Sequence, residues 1–462
     1  MLQVDAGTIS EELARDLHED LATQWIPDVL GNFDLKKCLM APGLTAADVQ
    51  FVDVPRTDRG KRTVPVLSGS ALRALRDAIA PLRQISEALL DPAVCGYRTG
   101  ATYGGAYSDE YLRFRSIGDA LAHEHRYVVV ADVQSFFDSV DPELLSKKMP
   151  ARVGNSWWRV HNFLLLASRS GIRGLPAGYG DARLIANHLL SGADAAIQRP
   201  FTRWVDDYRI FADTPREAEC AAARLADALG DFGFKLNVQK LSLTTSQEYL
   251  TRKHGAPLES VYHPQMESGA VVRASLRTVF FRAVNDQDRR LLRFSLPRLA
   301  TQKDDIAVEY AIQQLSQNSV DTPRLVYYLS RFLEHQNVRE RVQGIVQGPV
   351  LWPWTLIRLC PLLCNIPLEG STLESLARQL QSTDIPALWA AILRVMAVHE
   401  QAEVVVDEIA SYENVPDPRA AIGALIDIGH TIPESLRSLA PQTAKVADES
   451  RKLPLPSAYT LL

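Results

Sequence analysis

The sequence predicts an α+β first half, a small antiparallel sheet with helices packed on one face, followed by an all-α second half. Three observations carry this reading. Tyr127–Val133 is a run rich in β-branched residues, of the kind a buried strand needs. Residues 201–212 alternate as the two arms of a β-hairpin, with Asp206 and Asp207 at its tip. Beyond residue 270 strand signals fade, and short amphipathic stretches follow one another from polar-Pro starts.

In chain order, residues 10–25 have helical spacing, 62–67 read as a short strand and 71–90 as a helix. After the strand at 127–133, residues 142–167 are mainly helical. Gly174-Leu-Pro-Ala-Gly178 is a turn leading into a helix from about Asp181 to Ile197. The hairpin follows. Thr214-Pro215-Arg216-Glu217 has the form of a capping box with Pro at the first helical position, and the alanine-rich helix it opens ends near Gly230. A strand pair, Phe234–Val238 and Leu241–Thr245, closes the half.

The turn-rich stretch 255–270 is the best boundary, which gives domains at 1–255 and 270–462. In the second domain Asp321-Thr-Pro323, Asp384-Ile-Pro386 and Pro416-Asp-Pro418 each open a helix. Apolar sets such as Leu325, Tyr328, Leu329 and Phe332 lie between them. Units of this size suggest stacked helical hairpins, as in a solenoid. No strict period aligns them, so an irregular all-helical domain is the alternative.

With 462 residues the chain accommodates two or three domains, and 46% hydrophobic with 23% charged residues is the composition of a globular protein. No apolar run reaches the ~18–20 residues that span a bilayer. The N-terminal residues lack a basic segment followed by an apolar one, so an intracellular protein is expected. The five cysteines are odd in number and scattered, which argues against a disulfide framework; Cys360 and Cys364, spaced as on one helix face, read as buried thiols. A net charge of −5 does not mark a nucleic-acid binder, but local fields decide binding. Between Arg56 and Arg83 seven basic residues stand against Asp58 and Asp77.

Adjacent aspartates at a tight turn repel each other, a cost that makes sense if a divalent cation neutralises them. Asp132 lies at the end of the buried strand. If the strands are neighbours in one sheet, Asp132, Asp206 and Asp207 converge at one edge. Three hard oxygen donors with open positions suit Mg²⁺, and two such ions can stabilise both oxygens of an in-line phosphoryl displacement.

These segments resemble the motifs of reverse transcriptases, in the right order from about residue 50 to 250. Asp132-Val-Gln-Ser-Phe-Phe137 resembles motif A. Gly174-Leu-Pro-Ala-Gly178 with Ile185-Ala-Asn-His-Leu-Leu190 resembles motif B, Trp204-Val-Asp-Asp207 motif C, and Leu236-Asn-Val-Gln-Lys240 motif D. Cys95-Gly-Tyr-Arg-Thr-Gly100 resembles the Gly-aromatic-Arg segment ahead of motif A. The resemblance implies right-hand fingers and palm, with deoxynucleotide triphosphates as substrates. It implies that Asp132, Asp206, Asp207 and the Val133 carbonyl bind two Mg²⁺, for which Mn²⁺ can substitute.

By the same resemblance Phe137 lies under the sugar and selects deoxynucleotides, and the Gly178 turn approaches nucleotide and template. Lys240 serves the pyrophosphate leaving group and Arg62 grips the triphosphate. Ala177 and Ala182 stand where motif B usually has Gln and Ser, and Trp204 where motif C usually has Tyr or Phe.

Arg203 before the aromatic and the helical second half are similar to the abortive-infection and defence-associated reverse transcriptases of bacteria. That branch implies a cytoplasmic bacterial enzyme of antiviral defence with a HEAT-like helical-repeat domain. It also implies a non-coding RNA or DNA partner, a companion defence protein and a homo-oligomer. Synthesis is then RNA-templated, protein-primed (Tyr459 offering one hydroxyl) or template-independent. Trp352-Pro-Trp354 is read as a core or turn feature before a base-stacking one. The alternatives are a catalytically silent polymerase-fold subunit that binds nucleic acid or assembles a complex, and a palm-fold nucleotide cyclase.

Overall fold

The computed structural model describes residues 49–55, 60–67, 69–98, 107–149, 157–253, 269–348, 351–412 and 418–439, with a few isolated positions between. Residues 10–25, Cys38, Tyr459 and all but the end of 255–270 lie outside the described residues. The chain divides into two compact units, one holding Ser70–Gly255 and the other Ala256–Leu462 together with Gln50–Gly69.

The first unit contains helix α1 (Gly69–Leu89), strand β3 (Val94–Cys95) and helix α2 (Tyr107–Glu124). The strand β4 (Tyr127–Asp132) is followed by α3 (Phe136–Ser139), α4 (Pro142–Lys148), α5 (Trp157–Arg169) and α6 (Gly180–Asp194). Then come β5 (Phe201–Trp204), β6 (Asp207–Ala212), α7 (Pro215–Gly230), β7 (Ser242–Thr245) and α8 (Ser246–Lys253). The five strands form one sheet in the order β3-β5-β6-β4-β7, antiparallel except for the parallel β3–β5 pair.

The expected strand, hairpin and capping box are present. Thr214 accepts from the Glu217 amide, and Glu217 accepts in return from the Thr214 amide. Two expectations are corrected. Helices lie on both faces of the sheet, not one. Val128 and Phe211 pack against Ala122 and Leu121 of α2 and Tyr249 and Leu250 of α8, while Tyr208, of opposite parity to Phe211, reaches α6. The stretch 234–238 makes only the single bridge Val133–Leu236. Asn237 ends the pairing there: its side chain accepts from the Gln239 amide and its carbonyl from the amides of Lys240 and Leu241, a local turn that replaces ladder bonds.

The second unit contains the hairpin of β1 (Val49–Pro55) and β2 (Lys61–Leu67), where Asp53 is tied to Lys61 and Thr63. Its helices are α9 (Gly269–Asn285), α10 (Arg289–Thr301), α11 (Val308–Ser316), α12 (Thr322–Ser330) and α13 (Gln336–Gln347). Next come α14 (Pro353–Leu363), α15 (Gly370–Ser382), α16 (Pro386–Val398), α17 (Ala402–Ala410), α18 (Pro418–Asp427) and α19 (Glu434–Leu439).

All three expected Pro-led helices form. Alternate helices pack together: α10, α12, α14, α16 and α18 form one row and α11, α13 and α15 another. Helix α16 is apolar on nearly all sides and accordingly buried, with Trp389 donating to Glu408 at 3.0 Å. Trp354 is buried at the first turn of α14, in keeping with the core reading. Cys95, Cys220, Cys360 and Cys364 form no disulfide; Cys360 is buried as expected, whereas Cys364 is only half-buried. Among the described residues no helix is long and apolar enough to cross a membrane.

Candidate active site

The site grows from the register of two strands. β4 and β6 pair antiparallel so that Asp132 stands directly opposite Asp207. β5 joins β6 through the two-residue turn Val205-Asp206, since Trp204 pairs with Asp207. A two-residue hairpin loop needs a positive φ at its first position. Here a buried valine supplies it, at φ 54°. For a β-branched residue that conformation costs on the order of 1–3 kcal/mol, so something around the turn must hold it.

Two sets of bonds do so. On the carboxylate side the Val133 amide donates to the Asp206 carbonyl at 3.3 Å, and the Asn237 amide donates to the Asp132 carbonyl at 2.7 Å. Beneath the turn, Arg203 donates to the Val205 carbonyl at 2.7 Å while its guanidinium is bidentate on Asp194.

The three carboxylates are unevenly compensated. Lys240 Nζ stands 3.0 Å from each oxygen of Asp132, and Asn237 donates to the same carboxylate at 3.4 Å. Arg209 lies 3.9 Å from Asp207. Asp206 has no such partner among the described residues; burial, then Asp207 and Asp132, push its carboxyl up to about 7. Burial also raises Asp207, against the pull of Arg209.

Among the described residues no three His, Cys, Asp or Glu side chains close around one ion position. The donor chemistry still fits a hard divalent cation. The donors are carboxylate oxygens on facing strand ends, carrying more negative charge than Lys240 and Arg209 relieve.

The other expected residues are placed as follows. Phe137 is half-buried beside Phe136, and its carbonyl accepts from the Leu175 amide at 2.8 Å. A Cβ on Gly174, at φ +64°, would meet that carbonyl oxygen at 2.0 Å, so only glycine lets the 174–178 turn dock there. Gly178 follows at φ 107°. Ala177 and Ala182 are both buried, and Asp181, in the first turn of α6 beside Ala182, is bound by Arg76 at 3.4 Å and by Arg83. Val133 is buried next to Asp132. Arg62 is exposed on β2, which belongs to the other unit.

Trp204 stands on Gly96, where a Cβ would approach the indole to 2.9 Å, and its ring is edge-on to Tyr111 at 5.3 Å. The larger ring in place of Tyr or Phe is therefore matched by a glycine at φ +83°. Asn187, Asp194, Tyr208 and Asn237 were not singled out by sequence. Asn187 and Asp194 stand seven residues apart on α6 and so share one face of the helix, which is the signal that points to them.

Residues 54–258 match the family described as reverse transcriptase (RNA-dependent DNA polymerase). No curated protein matches the chain. The matched stretch contains all five strands of the sheet and indicates RNA-directed DNA polymerase, a nucleotidyltransferase activity with nucleotides and nucleic acid as substrates. Domains of this family generally use divalent metal ions.

Proposed function

We propose that this protein is a reverse-transcriptase-type DNA polymerase that adds deoxynucleotides by two-metal phosphoryl transfer, in the antiphage defence of a bacterial cell. The observation that carries the chemistry is the register: Asp132 faces Asp207 across two strands, with Asp206 at the adjoining turn. Each addition joins a 3′-hydroxyl oxygen to the α-phosphorus and breaks its bond to pyrophosphate.

Asp132, Asp206, Asp207 and the Val133 carbonyl would hold two Mg²⁺, or Mn²⁺ in their place. Bound there, the ions would stabilise charge on the attacking and leaving oxygens. Lys240, 61% exposed, is the cation bound to Asp132, while Arg209 lies by Asp207. It would neutralise or protonate the departing pyrophosphate. Phe137 would carry the sugar, the Gly178 turn would approach the base pair, and Arg62 would grip the triphosphate.

The branch assignment rests on Arg203-Trp204 and on the helical second half. In this reading residues 1–255 are fingers and palm and 270–462 a HEAT-like repeat domain. The template is a non-coding RNA or DNA, or synthesis proceeds without one. A companion defence protein and a homo-oligomer complete the picture, in the cytoplasm.

The test is incubation of purified protein with deoxynucleotides and Mg²⁺ or Mn²⁺, with and without co-purifying RNA, and sequencing of any polymer. DNA product from the wild type and none from Asp206→Ala/Asp207→Ala supports the assignment. Equal product from both, or none from the wild type with its native RNA and partner present, rejects it. Cells that resist phage with the wild-type chain and not with the double variant would support the defence role.

A further inference from the structure

The carboxylate turn sits on a buried charge network. Arg203 is wholly buried, and all of its donors are used. Nε and one terminal nitrogen bind the two oxygens of Asp194 at 2.9 and 2.6 Å. The other terminal nitrogen divides between Asn187 Oδ1 at 3.0 Å and the Val205 carbonyl at 2.7 Å. A longer bond of 3.4 Å reaches the Asn187 carbonyl.

Tyr208, on the second hairpin arm, donates its hydroxyl to Asp194 at 3.0 Å. Asn187 in turn donates to the Gly96 carbonyl at 2.8 Å, in the loop on which Trp204 stands. One guanidinium thus joins helix α6, both hairpin arms and the 96 loop, and it bonds the one backbone carbonyl that belongs to the left-handed valine.

We propose that Arg203, seated between Asp194 and Asn187, is a positioning residue that fixes the Val205-Asp206 backbone and so aims the two adjacent carboxylates. Its effect on catalysis rests on the polymerase reading above; its effect on the turn does not. A planar fork is required. Three directions must be served at once, which a lysine ammonium at the end of a flexible stem does not do in the same geometry.

Removing Arg203 alone would strand a buried aspartate, so the principal variant is Arg203→Met/Asp194→Leu, which replaces the pair with apolar groups. The readouts are thermal unfolding, hydrogen exchange at the Val133 amide, Mn²⁺ affinity by electron paramagnetic resonance, and polymerisation kinetics. The Val133 amide reports the turn because it bonds the Asp206 carbonyl.

The expected result is a cooperatively folded protein with Val133 exchange at least ~10-fold faster, Mn²⁺ binding at least ~10-fold weaker and kcat down about 100-fold. The nucleotide KM stays within about threefold, because a displaced metal turn costs the chemical step more than binding. Arg203→Lys, which keeps the charge, is expected to be nearly as defective. Asn187→Ala, which keeps the ion pair, shifts the same readouts by about threefold.

A folded double variant with wild-type exchange, Mn²⁺ affinity and kcat overturns the proposal, as does full function in Arg203→Lys. If the double variant does not fold, Asn187→Ala decides: faster Val133 exchange supports the clamp and unchanged exchange with unchanged kcat refutes it. Loosened exchange and weakened Mn²⁺ binding in a protein whose wild type makes no polymer would uphold the clamp and reject the polymerase reading.

Discussion

Two pairs of aspartates, one in each unit, behave in opposite ways. In the helical unit Asp304 and Asp321 are nearly inaccessible, yet each is matched. Asp304 takes two bonds from Arg277 at 2.7 and 2.9 Å. Asp321 takes two from Arg289 and one from Arg293. Burial opposes ionisation in both, but the arginine hydrogen bonds outweigh it and hold both carboxyls below the usual range. In the sheet unit Asp206 and Asp207 are pushed the other way. Charge placed for stability is compensated within the fold, whereas charge placed for chemistry is left for a cation to complete.

The sharpest way to break this contrast is the same substitution in both units. Asp206→Asn is expected to lower polymerisation by at least ~10³-fold while stabilising the metal-free protein by about 1–2 kcal/mol at pH 8, because it removes a repelled charge. Asp321→Asn is expected to destabilise by about 2–3 kcal/mol and to leave nucleotide addition in the folded protein unchanged. Polymerase assays and denaturant titrations check both signs. Two destabilisations of similar size would remove the distinction.

Lys240 is the next lever. Lys240→Met is expected to reduce kcat about 10²-fold with a stability change under ~1 kcal/mol, because the exposed ion pair with Asp132 adds little to folding. A kcat within threefold of wild type would show that the lysine is only a surface partner.

The smallest effect is on pH slopes. Glu110 on α2 is buried, and burial above all raises its carboxyl to about 7 against the pull of the Tyr97 amide and Arg113. A raised carboxyl contributes stability that is present below its unfolded value and lost as pH rises through about 7. Asp321, held low, contributes stability present above its unfolded value and lost as pH falls through its folded one. Amide exchange is therefore expected to show the sheet unit loosening between about pH 5 and 7.5 by on the order of 1–2 kcal/mol, and the helical unit loosening only below about pH 4. Glu110→Gln should reduce the first slope, the remainder belonging to Asp206, which is also raised to about 7, and leave the second.

The parts of the molecule legible in the sequence were those written locally. The Tyr127–Val133 run, the hairpin tip and the Thr214–Glu217 box depend on neighbours in the chain, and so do the Pro-led helix starts. What was illegible depends on distant partners. Nothing near Arg203 names Asp194, Asn187 and Gly96 as its companions, and nothing near Asp321 names Arg289. The expected strand at 234–238 failed because Asn237 satisfies backbone groups by itself, a local competition that β-propensity does not register. The three aspartates were legible as a set, but their counter-charges, Lys240 on Asp132 and Arg209 by Asp207, required the fold.

Mn²⁺ titration followed by electron paramagnetic resonance tests most directly whether the carboxylate turn is a metal site. Wild-type protein is expected to bind Mn²⁺ with Mg²⁺ in competition, and Asp206→Asn/Asp207→Asn to lose that binding while remaining folded. Wild-type protein that binds no Mn²⁺, or a double variant that binds it equally well, would contradict the assignment.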